Sequence, residues 1–248
     1  MAPVDSPERP GTTAAGRLSR ALLRMLMKRA SVVTSEPVAD GFRLITLEGA
    51  ALKGVEWTAG QRIQIAMNSL FIARTYTPIE WSRAAGRTCI VAYAHGDGPG
   101  SAWVRSVQPG DECDIFGPRR SLDLRHINGP LAVFGDETSI GLAYALVRQD
   151  RSRSAVCYFE VGDRESAAQL VAQLQIETVT LFERRNDNGH VAEMEAALPP
   201  LVGAGRSFVL TGQAGTIQRL RQGLKRQAVP ATRIVTKAYW APGKTGLD

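Results

Sequence analysis

Cysteine is scarce in this chain. There are three, at positions 89, 113 and 157, far apart and each inside an apolar run. An odd, scattered set builds neither a disulfide framework nor a zinc cluster, and it predicts buried, reduced thiols in a cytoplasmic protein. Histidine is as rare: His95, His126 and His190 share no metal-ligand spacing, so no resident metal ion is expected. No apolar run reaches the ~18 residues that a membrane-crossing helix needs. Internal repeats and long low-complexity tracts are absent too. Acidic residues are outnumbered, 24 against 30 Lys and Arg, for a net charge of +6. Much of that excess is local. Residues 1–30 hold Arg9, Arg17, Arg20, Arg24, Lys28 and Arg29 against Asp5 and Glu8, or +4 of the +6. The remainder is close to balanced, and a nucleic-acid-binding surface is not expected.

What is present falls into three segments. Residues 1–13 are rich in Pro, Ser and Thr. Residues 14–30 place Arg17, Arg20, Arg24 and Lys28 at helical steps beside Leu18, Leu22, Met25 and Leu26, which predicts a basic amphipathic helix docked on the β-rich segment after it. From 31 to about 128 the period changes to two. SVVTSEPV, FRLITLE, QRIQIAM, FIARTYTPI, RTCIVAYA and ECDIF are six β-rich runs separated by Gly, Pro and Asp, the pattern of a small antiparallel barrel. From 129 to 248, buried strands such as PLAVFG, AVCYFEV, IETVTLF and RSFVLTG alternate with helical stretches. That alternation implies parallel βαβ units. The expected fold is α+β in two domains: a six-stranded antiparallel β-barrel, then a parallel α/β domain of the nucleotide-binding kind, with a cleft between them where two ligands can meet.

Two short motifs carry chemistry. Arg74-Thr75-Tyr76-Thr77 lies in a strand, where residues two apart share a face, so Arg74 and Tyr76 point together. Arg offers a bidentate fork for phosphate and Tyr a flat ring for stacking. His95-Gly96-Asp97-Gly98-Pro99-Gly100-Ser101 is a Gly-rich turn entering a short helix, a source of backbone N–H groups for an anion. Ser101 is the expected cap of that helix. Taken singly, each motif is also what an ordinary barrel strand or turn provides.

In order, however, these pieces resemble the ferredoxin–NADP reductase superfamily, and within it the siderophore-interacting protein family. The resemblance rests on Arg74-Thr75-Tyr76-Thr77, His95-Gly96 with Gly98-Pro99, Trp103, Pro109-Gly110-Asp111 and Gly117-Pro118. It continues through Gly135-Asp136-Glu137-Thr138, Thr211-Gly212-Gln213-Ala214-Gly215, Tyr239-Trp240 and Gly243. It implies that the barrel binds FAD: Arg74 on a flavin phosphate, Tyr76 on the isoalloxazine, Thr77 near its N5, and the turn from His95 through Gly98 and Gly100 to Ser101 around the diphosphate. Gly135, Asp136, Glu137 and Thr138 would lie at the first strand end of the second domain, near a nicotinamide, with Gly212 beside them. The chain departs from the family pattern at Ser139-Ile140-Gly141-Leu142, where Ala-Leu-Pro-Ala is usual, at Gln213 in place of Glu, and at Ala241 in place of Arg.

The implied activity is reduction of the iron in a ferric siderophore and its release as Fe(II), with NADPH or NADH as electron donor and a ferredoxin as another candidate. A hydride donor gives two electrons and Fe(III) takes one, a mismatch that a flavin bridges. No general acid or base is required, so no catalytic side chain is assigned. Large ferric chelates, anionic when catecholate, call for a basic pocket. Candidates are Arg119, Arg120, Lys237 and Lys244, with Arg62 behind them. Arg184 and Arg185, after IETVTLF, are candidates for reading a 2′-phosphate. A monomer is expected. Two other readings stay open: a flavin reductase serving a different acceptor, and a non-catalytic ferric-chelate-binding protein.

Overall fold

The computed structural model describes residues 27–69, 72–127 and 129–244. The anticipated basic helix therefore lies, up to residue 26, outside the described residues. Its last residues are not helical: Lys28–Ala39 form strand β1. Lys28, Arg29 and Ala30 register against Ile115, Asp114 and Cys113. Lys28 Nζ donates to the Gly117 carbonyl at 2.9 Å, and Arg29 pairs with Glu112 at 2.7 Å. Cross-strand partners outweigh the helical spacing of the charges here.

Strands β2 (Phe42–Glu48), β3 (Gln61–Ser69), β4 (Ile72–Tyr76), β5 (Pro78–Ser82), β6 (Arg87–Tyr93) and β7 (Glu112–Arg120) complete the first sheet. Its order is β4-β3-β7-β1-β2-β6-β5. The edge strands β4 and β5 are consecutive in the chain with only Thr77 between them, so the backbone itself ties one edge to the other and closes the barrel. This accounts for seven strands where six runs were expected. The run from 71 to 79 breaks at Thr77 because Pro78 has no N–H for a ladder and restricts the residue before it. The two halves then pair on opposite edges, β4 with β3 and β5 with β6. Alternation fills the interior: Ile45, Leu47, Ile63, Ile65, Ile90 and Ile115 are fully buried. Helix α1 (Pro99–Ser106) closes one end with Val104.

The second domain is a parallel sheet of β8 (Leu131–Asp136), β9 (Ala155–Val161), β10 (Val179–Glu183), β11 (Ser207–Gln213) and β12 (Ile234–Trp240) in the order β10-β9-β8-β11-β12. Helices α2 (Ile140–Gln149), α3 (Arg164–Gln173), α4 (Gly189–Ala196), α5 (Leu198–Gly203) and α6 (Ala214–Arg226) connect the strands. Every residue of β8 is buried, as a central parallel strand requires. The chain winds outward from β8 to β10 and then restarts at β11 on the other side. The switch point, where open α/β sheets bind ligands, is thus between β8 and β11.

The domains share one core. Phe42, Ile79 and Leu122 of the barrel belong to the same buried cluster as Ile140, Leu142 and Tyr144 of α2. Gly141 makes this approach possible, since a Cβ there would stand 3.1 Å from Ile79 Cγ2. Nearby, Tyr144 donates to Glu80 at 2.7 Å across the boundary.

Candidate functional site

The switch point faces the barrel, and a cavity of about 390 Å³ lies between them. Its barrel wall is Arg74, Tyr76 and Thr77 with Val91, Tyr93 and His95; its floor is Gly98, Gly100 and Ser101; its other wall is Thr138, Gly141, Ala238, Tyr239 and Trp240. Arg62, Lys237 and Lys244 line the same cavity as Arg74. The volume falls within the ~300–1,000 Å³ typical of small-molecule clefts.

Arg74 lies across the first turn of α1. A Cβ at Gly100 would be 2.9 Å from Arg74 Cγ, so glycine is what admits the arginine there. Arg74 Nη1 donates to the Ala73 carbonyl at 2.9 Å. The helix cap is Gly98, not Ser101 as expected, and Gly98 has no side chain to occupy the first-turn amides. Ser101 sits inside the helix, buried, and its hydroxyl donates to the His95 carbonyl at 2.6 Å, closing the loop on itself. The result is a guanidinium beside an open helix N-terminus, an arrangement suited to a phosphate. Tyr76 tilts against Trp103 with centroids 5.7 Å apart. Burial drives its phenol far above the usual range.

Aromatic rings line the passage between the domains. Phe42 stacks on Tyr93 at 4.6 Å, Tyr93 on His95 at 5.6 Å, and His95 faces Trp240 at 6.5 Å. Tyr93 and Val91 were not anticipated as lining residues. They alternate with buried Ile90 and Ala92 along β6, and that alternation was a usable signal. Tyr239 and Trp240 are neighbours on β12, yet both reach the cavity. The register with β11 slips here: Ala238 pairs with Gly212 and Trp240 with Gln213, leaving Tyr239 as an extra residue. Bulges of this kind re-aim side chains. Tyr239 is buried beside Thr77 of the barrel and Thr211 of β11, and burial drives its phenol far above the usual range.

Of Gly135, Asp136, Glu137 and Thr138, at the end of β8 and the turn after it, only Thr138 lines the cavity. Gly135 is buried against Ser139. Asp136 accepts from Thr138 N at 2.9 Å and from Trp240 Nε1 at 2.7 Å. Burial is the main cause that pushes its carboxyl up to about 6, opposed by the bonds from Thr138 and Trp240. Gly212, at φ 98°, leaves the space this carboxylate fills. Glu137 accepts from Gly162 N at 2.6 Å and from Arg184 Nη2 at 2.8 Å. Arg184 is therefore held by carboxylates rather than presented to a 2′-phosphate. Arg185 pairs with Glu193. Behind them His190 is buried. Its Nδ1 accepts from Arg185 N at 3.1 Å, which puts the proton on Nε2, 2.9 Å from Glu160 Oε2.

The basic candidates divide. Lys237 and Lys244 line the cavity, as does Arg62. Arg119 and Arg120 do not. Arg119 lies over the Phe116 ring at 4.8 Å, and Arg120 borders a second cavity with Arg125 and Arg153. Both follow the β7 strand as it leaves the barrel, and their side chains are exposed. Cys89, Cys113 and Cys157 are free thiols that burial pushes up to about 11, 11 and 12. Among the described residues no group of His, Cys, Asp and Glu could hold a metal ion, and no helix is long and apolar enough to cross a membrane.

Comparison with known proteins agrees with this architecture. No curated protein matches the chain. The siderophore-interacting protein SipS from Aeromonas hydrophila superposes with a TM-score of 0.72 at 24% identity, over 88% of this chain and 93% of that one. A siderophore utilization protein from T. fusca gives 0.68 at 19%, over 90% and 95%. Phthalate dioxygenase reductase gives 0.71 at 16%, over 88% and 70%. Residues 66–122 match the siderophore-interacting FAD-binding domain, and residues 130–243 match the siderophore-interacting protein family. The two matches together span more than half of the chain and take in every cavity-lining residue named above except Arg62 and Lys244; the chain belongs to the siderophore-interacting protein family, with a ferredoxin-reductase-like fold.

Proposed function

We propose that this protein is an FAD-dependent reductase that takes a ferric siderophore as acceptor and releases its iron as Fe(II). The observation that carries the reading is Arg74 laid over the open start of α1 at Gly100, in one cavity with Tyr76 and with Lys237 and Lys244. These residues fit FAD. The Arg74 fork and the amides of Gly98, Gly100 and Ser101 would hold the diphosphate; Tyr76 would pack on the ring system; Thr77, beside Tyr239, would meet its polar edge. Bound FAD would supply the conversion from a two-electron donor to a one-electron acceptor.

The rest of the chain's work is placement. Lys237, Lys244 and Arg62 draw an anionic chelate to the cavity mouth. The shared core under α2 keeps the two walls in register and excludes water behind Gly141. Each Fe(III) takes one electron and leaves as Fe(II), which hard oxygen donors hold far less tightly, so the chelator is not broken. NADPH or NADH is the donor this reading favours, because the carboxyl edge of the parallel sheet opens on the same cavity; a ferredoxin is the other. The reductase acts as a cytoplasmic monomer, in keeping with its three reduced thiols.

An anaerobic assay decides it. The purified protein should be yellow, should bleach with a nicotinamide donor or a reduced ferredoxin, and should recolour on adding a ferric catecholate while ferrozine traps two Fe(II) per flavin, about the ratio the electron count requires. A protein that bleaches and recolours only with quinones is a reductase for another acceptor. One that binds the chelate but transfers no electron from any donor is a carrier.

A further inference from the structure

We propose that Asp136 is a positioning residue for the acceptor side of the cavity: it holds the Trp240 indole beside His95, and the pose of that ring pair shapes the surface an iron chelate meets and so discriminates between chelates. The proposal rests on the reading of the cavity as a flavin-dependent ferric-chelate site.

Asp136 is fully buried, and turn-capping does not explain why. Asp163 performs the same capping at α3, accepting from Glu165 N and Ser166 N, while exposed. What burial adds at Asp136 is reach. Trp240 lies on β12, and β11 stands between β12 and β8. The carboxylate spans that intervening strand only because Gly212 has no side chain at the crossing, where a Cβ would collide with it. Thr138 fixes one oxygen through its N–H and hydroxyl; the other is left for the indole N–H at 2.7 Å. Three separate features, a glycine, a threonine and a strand bulge at Tyr239, converge on one hydrogen bond. A buried carboxylate is costly unless it is fully bonded, so this socket is a specific arrangement rather than a by-product of packing.

Trp240 in turn lies beside His95, one ring from each domain, with centroids 6.5 Å apart, and both line the cavity. Lys237 and Lys244 lie on the same wall as Trp240. A chelate drawn in by those lysines therefore meets the indole. Held by Asp136, the ring keeps a fixed pose beside His95; released, it turns and the surface offered to the chelate changes.

The test compares wild type, Asp136→Asn, Trp240→Phe and the double variant. On oxidised holoprotein, dissociation constants for a bulky ferric tris-catecholate and for ferric citrate are read from the flavin spectrum. Each single change should alter the ratio of the two constants by about fivefold or more, and the double should go no further than the larger single, as coupled residues do. An unchanged ratio, or effects that multiply, overturns the proposal. In apoprotein, the emission of Trp240, isolated as wild type minus Trp240→Phe, should shift in Asp136→Asn; no shift also overturns it. A wild type that takes up no flavin would defeat the functional reading instead, while the apoprotein emission still decides whether Asp136 holds the indole.

Discussion

Arg184 Nη2 lies 2.8 Å from Glu137 Oε2, joining the loop after β10 to the turn after β8 beneath the carboxyl edge of the parallel sheet. Glu137 is buried, at 4% exposure, so this guanidinium is its charge partner. Removing one member of such a pair leaves an uncompensated charge. Arg184→Ala should lower stability by roughly 3 kcal/mol, seen as a reduced denaturation midpoint. It should leave any preference between NADPH and NADH unchanged. A lost preference with unchanged stability would restore Arg184 as a phosphate reader.

Arg74 and Gly100 should fail together. Arg74→Ala should weaken FAD binding by about 1.5–3 kcal/mol, the cost of losing a charge-assisted partner to a phosphate. Gly100→Ala should weaken it by about tenfold, because the added Cβ displaces the Arg74 side chain from the helix start. Flavin titration of the apoprotein measures both. Unchanged affinity in Gly100→Ala would place the diphosphate elsewhere.

Lys237 and Lys244 act on charge rather than on shape. Changing both to Ala should raise KM for anionic ferric catecholates several-fold more than for neutral ferric hydroxamates, and the difference should shrink as salt is added. Steady-state kinetics at two ionic strengths checks this. An equal effect on both classes would contradict an electrostatic acceptor site.

Asp136 sets a pH dependence. Its folded pKa of about 6 is above the ordinary carboxylate value, burial being the main cause. The fold therefore binds a proton there more readily than the unfolded chain, and stability from this group is lost as pH rises from about 4 through 6. The loss is about 2 kcal/mol between pH 4 and 7. Glu137 and Glu160 push in the same direction, while Thr138 and Trp240 oppose it. Arg184, Tyr93 and Tyr239 also feel this carboxylate. Denaturant titrations of wild type and Asp136→Asn across that range should diverge, the variant gaining relative stability as pH rises. Parallel curves would show that the group is not perturbed.

Much of the architecture was written locally. Arg87–Tyr93 alternates residue by residue, and Leu131–Asp136 is a continuous buried run, so a barrel followed by a parallel sheet could be read from period alone. The break at Thr77 was hidden because Pro78 continues an apolar run; only pairing partners reveal that its two halves belong to opposite edges. Lys28–Ala30 misled for a related reason, since helical spacing of charge says nothing about a waiting strand. In the site, Arg74, Tyr76 and Lys237 were legible as chemistry in a motif. Trp240 on Asp136 was not: the partners are 104 positions apart and meet across a glycine. Arg119, Arg120 and Arg184 show the same gap, because charge is visible in sequence and direction is not.

The central claim is that FAD lies against Tyr76 with its diphosphate between Arg74 and the start of α1. A crystal structure of the protein grown with FAD tests it most directly. The account predicts the isoalloxazine on the Tyr76 ring and the diphosphate within hydrogen-bonding distance of the Arg74 guanidinium and the Gly100 and Ser101 amides. A flavin bound elsewhere, or those side chains closing on one another with no flavin between them, would contradict it.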